Sequence, residues 1–180
     1  LFADANQGWS LGEARAMAHL LASVDAAWIE EPLAVDDDDG WEALSGTFSM
    51  PAAGGENLYG LRQFVRWCTK RLGVVQPDVG KCGGITAAVD IFRRGAELGV
   101  RLAPHYLGGA VGLAATVHLF ASLPTEQRVL VECDVNPNPL REELLSEPLL
   151  SRGGLRVPDG PGLGVELHQP TLERYRLASH

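Results

Sequence analysis

The sequence predicts an α/β protein of the TIM type, in which parallel strands alternate with helices around a barrel. Short apolar stretches that suit strands alternate along the whole chain with longer segments of helical periodicity. Each apolar stretch ends at an ionisable side chain. These side chains are Asp4, Glu30, Glu56, Asp78, His105 and Glu132, and the gaps between them are 26, 26, 22, 27 and 27 residues. One gap is about the length of a strand, a helix and two loops, so the pattern brings all six to the same end of the sheet.

The elements can be assigned in order along the chain. The expected strands span residues 1–4, 27–30, 50–54, 74–78, 100–105 and 129–132. Ser10 followed by Glu13 predicts a capping box at the start of the first helix. The acidic run 36–39 is typical of a loop and helix start, because helix N-termini favour negative charge. Gly83 and Gly84 open the helix that follows the fourth strand.

Six strands are fewer than the eight or so that a closed barrel needs. An open doubly wound sheet can stop at six, but its ligands gather at one switch point, whereas here every strand end carries a polar side chain. A barrel without its first two units fits better, and the chain then covers about strands 3–8. We expect residues 1–139 to form this partial barrel with the active site. The turn-rich residues 140–180 are expected to form a C-terminal segment that packs back on it.

Composition narrows the class of protein. Hydrophobic residues make up 46% of the chain and the formal net charge is −8, which argues against a nucleic-acid partner. No apolar run is long enough for a membrane span, so we expect a soluble, cytoplasmic protein. The three cysteines, Cys68, Cys82 and Cys133, lack zinc-like spacing and are expected to be reduced thiols.

Asp4, Glu30 and Glu56 are the candidate metal ligands. Three carboxylates that converge from adjacent strands offer an oxygen-rich site for a hard cation, and the absence of His or Cys among them favours Mg²⁺, or Mn²⁺, over zinc. Glu31 alternates to the other side of its strand, so we expect it to make a structural ion pair and not to bind the metal.

Asp78 and His105 form a second set on neighbouring strands. A carboxylate that accepts a hydrogen bond from one imidazole nitrogen fixes the tautomer and makes the other nitrogen more basic, which prepares a general acid or base. Glu132 follows the last strand. Burial near other carboxylates should raise its pKa and let it donate a hydrogen bond to a substrate oxygen, although it could equally be an ordinary polar contact.

In these motifs the chain resembles the enolase superfamily, specifically its mandelate racemase/muconate lactonizing enzyme branch. The resemblance rests on Asp4-Ala5-Asn6, Ile29-Glu30-Glu31-Pro32, Gly55-Glu56-Asn57, Gln76-Pro77-Asp78 with Lys81-Cys82-Gly83-Gly84, Pro104-His105 and the tail 158–164. It covers nearly the whole chain. The resemblance implies a (β/α)7β-type barrel, Mg²⁺ on Asp4, Glu30 and Glu56, and removal of the proton α to a substrate carboxylate through a metal-stabilised enediolate.

The pairing of Asp78 with His105 resembles the mandelate racemase subgroup, and Lys81 is expected to be a surface residue at a helix start. The family also implies an N-terminal capping domain and two earlier strands, the second with a Lys-x-Lys base. We therefore expect the sequence to be the C-terminal part of a longer protein that forms a homo-oligomer. The segment 140–180 would pack on the barrel or on that capping domain.

The resemblance favours dehydration of a sugar acid, with His105, Asp78 and Glu132 as catalytic residues and a small carboxylic acid as substrate. Racemisation or epimerisation is the close alternative, and it needs a second base on the opposite face of the substrate. A hypothesis of another class is a non-catalytic fragment or a metal-binding scaffold.

Overall fold

Strands and helices alternate through the first two thirds of the chain, as the sequence predicts. The computed structural model describes residues 1–44, 46–70, 72–125, 130–151 and 153–177. The alternating elements are β1 (Phe2–Asp4), α1 (Leu11–Ala22), β2 (Trp28–Glu30), α2 (Asp38–Leu44), β3 (Ala52–Gly54), α3 (Gly60–Lys70), β4 (Val74–Val75), α4 (Gly84–Glu97), β5 (Arg101–Leu102) and α5 (Ala110–Ser122). The tail adds α6 (Pro139–Glu142), β6 (Leu150–Ser151), β7 (Gly154–Leu155) and α7 (Gln169–Arg174).

The first five strands form one parallel sheet in chain order, β1-β2-β3-β4-β5. Asp4 pairs with Glu30 across β1 and β2, and Glu30 pairs with Ala53 across β2 and β3. Because all five strands run in the same direction, their C-terminal ends lie along one edge. The protein is therefore α/β with a parallel sheet, consistent with a partial TIM-type barrel.

The sixth predicted strand is not found where the sequence analysis put it. Val129 lies outside the described residues, and Leu130–Glu132 is not assigned to a strand. The backbone amide of Glu132 donates to the carbonyl of Pro104 over 3.5 Å. One long hydrogen bond is too little to form a ladder, which needs repeated pairing along both chains.

Alternation along the strands separates two faces of the sheet. Val75 and Leu102 contact α3 and α4, where Phe64 and Phe92 are almost fully buried. Burial of one such aromatic side chain contributes about 1.5–3 kcal/mol to folding. The opposite face carries a smaller apolar cluster formed by Trp28, Ala53, Val74 and Ala103. Glu30, two residues after Trp28, belongs to this second face.

Local signals in the sequence account for several helix ends. Ser10 accepts a hydrogen bond from the amide of Glu13, whose carboxylate accepts one from the Ser10 amide, so the predicted capping box is present. Gly83 has φ 118°, in the left-handed region, and immediately precedes α4. Each of these residues marks where the loop that follows a strand ends and the next helix begins.

The C-terminal segment contacts α5. Leu145 and Leu149 are buried with Tyr106 and Leu113, and the imidazole Nε2 of His118 lies 3.1 Å from the carbonyl oxygen of Leu163. The division of the chain at residue 140 stays a prediction. The three cysteines are free thiols. Across the described ranges, no helix is both long enough and apolar enough to cross a membrane.

Candidate active site

Five of the six predicted side chains lie at or just beyond the C-terminal ends of the strands, and Glu132 lies in a segment that is not assigned to a strand. Asp4 and Glu30 are the last residues of β1 and β2. Glu56 lies two residues beyond β3, and Asp78 and His105 each lie three residues beyond β4 and β5. The most closely connected of the six are Glu56, Asp78, His105 and Glu132, which meet around one imidazole ring.

The predicted Asp78–His105 pair is present and buried. His105 is 3% exposed, and its Nδ1 lies 2.8 Å from Oδ2 of Asp78. The other carboxylate oxygen accepts a hydrogen bond of 2.7 Å from the Gly80 amide. Burial opposes the ionised form of Asp78, but the hydrogen bonds from His105 and Gly80 hold the pKa of this carboxyl below its ordinary value. Asp78 is therefore an ionised partner that keeps the Nδ1 proton on the ring.

The other nitrogen of the ring faces two carboxylates. Nε2 of His105 lies 3.0 Å from Oε2 of Glu56 and 3.7 Å from Oε2 of Glu132. Burial acts to lower the pKa of His105, but the hydrogen bond with Asp78 and the charges of Glu56 and Glu132 outweigh it and raise this pKa. The imidazole thus has one anchored nitrogen and one basic nitrogen that points among the carboxylates.

Glu30 is the most strongly perturbed carboxyl at the strand ends. Burial, with the nearby charges of Asp4 and Glu132, raises the pKa of Glu30 to about 7, although hydrogen bonds from Gln76 and Trp28 act in the opposite direction. The indole Nε1 of Trp28 donates to Oε2 of Glu30 over 3.3 Å. Carboxylates that repel one another in this way form a donor set suited to a hard divalent cation.

The three candidate metal ligands are not gathered into one coordination shell. Strand register places Asp4 next to Glu30, whereas Glu56 turns toward His105. Among the residues that the structure describes, no three His, Cys, Asp or Glu side chains are close enough together to hold a metal ion as they stand. The all-oxygen chemistry of Asp4, Glu30 and Glu56 fits Mg²⁺, and the ligand assignment stays a prediction.

Lys81 is exposed and lies just before α4, as expected of a surface residue at a helix start. Its side chain is half-exposed, but Nζ lies 3.7 Å from Oε1 of Glu56. The loop after β4 reaches α4 through the Gly83–Gly84 turn, and this course keeps residue 81 beside the loop after β3. In the sequence, only the position of Lys81 three residues after Asp78 could have indicated this contact.

Glu31 does not make the expected ion pair within the described part of the chain. Its Oε2 accepts hydrogen bonds from Nε2 of Gln7 over 2.8 Å and from Nδ2 of Asn57 over 3.0 Å. The sequence analysis named Gln76 only within a motif and gave it no role, whereas its side chain is 3% exposed and hydrogen-bonded to Glu30. Its buried Oε1 finds no hydrogen-bond partner among the described residues. Amide side chains carry no charge, so nothing in the spacing of ionisable residues pointed to them.

Glu132 is held from two directions. Its Oε2 accepts a hydrogen bond of 3.2 Å from the Tyr106 amide, next to His105. Two residues further on, Oδ2 of Asp134 lies 2.7 Å from Nη1 of Arg141 in α6, which also bonds the carbonyl of Asn136. Burial raises the pKa of Glu132, the direction expected from the sequence, while His105 and the Tyr106 amide act against it. Its role as a hydrogen-bond donor stays a prediction.

Comparison with known proteins extends over nearly the whole chain. Residues 1–171 match the family described as enolase C-terminal domain-like. The chain is 33% identical to D-galactarolactone cycloisomerase of Agrobacterium fabrum, covering 98% of the chain and 49% of that protein. It is 32% identical to arabinonate dehydratase of Saccharolobus solfataricus, covering 98% of the chain and 47% of that protein. The chain thus spans about half the length of these curated relatives.

A solved structure agrees with these matches. The mandelate racemase/muconate lactonizing enzyme structure from Bordetella bronchiseptica superposes with a TM-score of 0.86 at 39% identity, covering 97% of this chain and 49% of that one. The family match, the identities and the superposition all concern the same C-terminal portion. The chain therefore belongs to the mandelate racemase/muconate lactonizing enzyme family of the enolase superfamily, and it corresponds to the enolase C-terminal domain.

Proposed function

We propose that the protein containing this chain removes the proton α to the carboxylate of a sugar acid and completes a dehydration. The observation that carries the proposal is the buried Asp78–His105 pair, whose free nitrogen points among carboxylates at the strand ends. Relatives of this chain are named a sugar acid dehydratase and a sugar lactone cycloisomerase, which supports this substrate class.

His105 would act as the base. With Nδ1–H held by Asp78, the lone pair on Nε2 accepts the α-proton and the ring becomes an imidazolium that the Asp78 carboxylate stabilises. The electron pair of the broken C–H bond passes to the carboxylate and gives an enediolate. This species can take a proton back at the α-carbon, or it can form a C=C bond as the β C–O bond breaks. The hydroxyl group takes up the proton that the His105 imidazolium now carries and leaves as water, which returns His105 to its neutral form. The enol that results tautomerises to a 2-keto-3-deoxy acid.

The carboxylates supply the rest of the site. Asp4, Glu30 and Glu56 would hold a Mg²⁺ ion, which when bound engages the substrate carboxylate and offsets the charge that develops as the proton leaves. Glu132 lies 3.7 Å from the same imidazole and its pKa is raised, so its protonated form can donate to an oxygen of the substrate.

Solvent exchange tests the role of His105. In the full-length protein, His105→Asn should abolish incorporation of deuterium at the α-carbon from D₂O, because the variant lacks the proposed base. Mg²⁺ affinity, measured by calorimetry, should be little changed, since His105 is not one of the proposed ligands. Undiminished exchange would remove His105 from the mechanism.

Product analysis separates dehydration from the other reactions that can start with the same step. Wild-type protein should convert a member of a sugar acid panel to a 2-keto-3-deoxy acid, visible by NMR. Exchange with inversion and no loss of water would instead identify a racemase or epimerase. Exchange-inactive protein across the panel would support a non-catalytic role.

A further inference from the structure

We propose that Glu31 is a positioning residue that connects the loops after β1, β2 and β3 and so fixes Asp4, Glu30 and Glu56 relative to one another. We name Gln7, Glu31 and Asn57 the Glu31 bracket. The inference rests on the proposed function, because it assigns the bracket a task toward the Mg²⁺ ligands.

The carboxylate of Glu31 is buried and supplied with donors. Its side chain is 4% exposed, and Oε2 accepts from both Nε2 of Gln7 and Nδ2 of Asn57. The Gly55 amide also hydrogen-bonds this carboxylate. An ionised carboxylate accepts hydrogen bonds and donates none, so three converging donors suit Glu31 and not an amide in its place. Because its carboxylate is occupied by these hydrogen bonds, we expect Glu31 to act on the metal site through the residues it holds and not as a ligand.

Each member of the bracket lies close to one candidate ligand. Glu31 directly follows Glu30, Gln7 is three residues after Asp4, and Asn57 directly follows Glu56. Nδ2 of Asn57 also reaches Oε1 of Glu56 over 3.3 Å. Movement of any one of the three loops would therefore break a hydrogen bond to the same carboxylate.

The backbone reinforces these connections. The amide of Gln7 donates to the carbonyl of Glu31 over 2.7 Å, and the amide of Glu31 donates to the carbonyl of Ala53 over 3.1 Å. Oε1 of Gln7 accepts from the Val35 amide over 2.9 Å, so both ends of this amide group are engaged. The three loops are thus joined by main-chain and side-chain bonds together.

Two members of the bracket have a backbone conformation that L-residues rarely adopt. Glu31 has φ 35° and Gln7 has φ 62°, both in the left-handed region. Such conformations persist only where the surroundings over-determine them, and they concentrate at functional sites. Here the hydrogen bonds of the bracket supply that constraint, and Glu30 emerges from β2 immediately before the strained residue.

Mg²⁺ binding by the full-length protein, measured by isothermal titration calorimetry, tests the proposal. Glu31→Gln should weaken Mg²⁺ binding by about 10- to 100-fold, the usual effect of losing a residue that orients metal ligands. Asn57→Leu removes one donor without changing charge and should weaken binding in the same direction. This second variant separates the hydrogen bonds from the simple loss of a negative charge near a cation.

Two variants serve as controls. Glu166→Gln removes one exposed carboxylate and matches the charge change of Glu31→Gln. Leu119→Ala creates a cavity in the core under α5 and matches a loss of stability, which thermal unfolding measures. Both should bind Mg²⁺ as the wild type does. If the bracket only stabilised the fold, its loss would lower the unfolding temperature, as Leu119→Ala should, and would leave the Mg²⁺ affinity unchanged.

The outcomes separate this inference from the proposed function. If Glu56→Gln weakens Mg²⁺ binding while Glu31→Gln and Asn57→Leu stay within about twofold of wild type, the bracket has no positioning role. If Asn57→Leu alone stays at the wild-type value, the effect of Glu31 is one of charge, and the positioning account is overturned. If Glu56→Gln leaves the affinity unchanged, the ligand assignment itself fails.

Discussion

Replacement of Glu30 by glutamine should stabilise the metal-free protein at alkaline pH. The carboxyl of Glu30 is 9% exposed and lies near two other carboxylates, so its ionised form is disfavoured and its pKa is raised from 4.5 to about 7. The folded protein therefore keeps this proton to a higher pH than the unfolded chain does. The contribution of Glu30 to stability falls as the pH rises from about 4.5 to about 7 and is level beyond that range.

The size of the effect follows from the two pKa values. One pKa unit corresponds to about 1.4 kcal/mol, so the interval from 4.5 to about 7 corresponds to roughly 3 kcal/mol at most. Glu30→Gln keeps the size of the side chain and an oxygen that can accept from Trp28, and it carries no charge. The variant should match the wild type near pH 4.5 and exceed its free energy of unfolding by up to about 3 kcal/mol near pH 8.

Urea unfolding of the full-length protein in the presence of a chelator, followed across this pH range, measures the difference. Glu166→Gln, at an exposed position, is the matched control, and it should keep the pH dependence of the wild type because it retains Glu30. Saturating Mg²⁺ should reverse the order, because only the wild type keeps all three proposed ligands. A Glu30→Gln protein that is no more stable than the wild type near pH 8 would refute the reasoning.

The two remaining predictions concern neighbours of His105 and Glu56. Asp78→Asn removes the carboxylate that raises the pKa of His105. The kcat should therefore fall by about 100-fold or more, and the acid limb of the kcat/KM profile should move to lower pH. An acid limb that stays at the same pH in the pH–rate profile would contradict the pairing. Lys81→Gln removes a half-exposed cation 3.7 Å from Oε1 of Glu56, so calorimetry should show Mg²⁺ binding about two- to fivefold tighter, and weaker binding would point to a supporting role for Lys81.

The spacing of ionisable residues predicted the fold class and the ends of the first five strands to within three residues, because a repeating unit sets both. A parallel strand must be followed by a crossover before the next one, so the distance from Glu30 to Glu56 measures one unit. The capping box at Ser10 could be predicted equally well, because it depends on two residues that are three positions apart. Family membership, recognised from short motifs, was confirmed by the match over residues 1–171.

The course of the chain beyond each strand was less predictable. Glu56, Asp78 and His105 lie two or three residues past their strands, where the loop decides the direction of the side chain. The contact of Glu56 with His105, in place of one with Asp4 and Glu30, depends on that geometry. The role of Glu31 was missed for a related reason, because its partners Gln7 and Asn57 come from loops 24 and 26 residues away.

The ion pair between Asp134 and Arg141 has a consequence for attempts to transplant this site. Glu132 comes from a segment that is not a paired strand. Just beyond it, the Arg141 side chain of α6 binds the carboxylate of Asp134 and the carbonyl of Asn136. A designer who copied only the strand ends onto another barrel would leave Glu132 on an unanchored loop. The short helix Pro139–Glu142 would therefore have to be copied together with the candidate site.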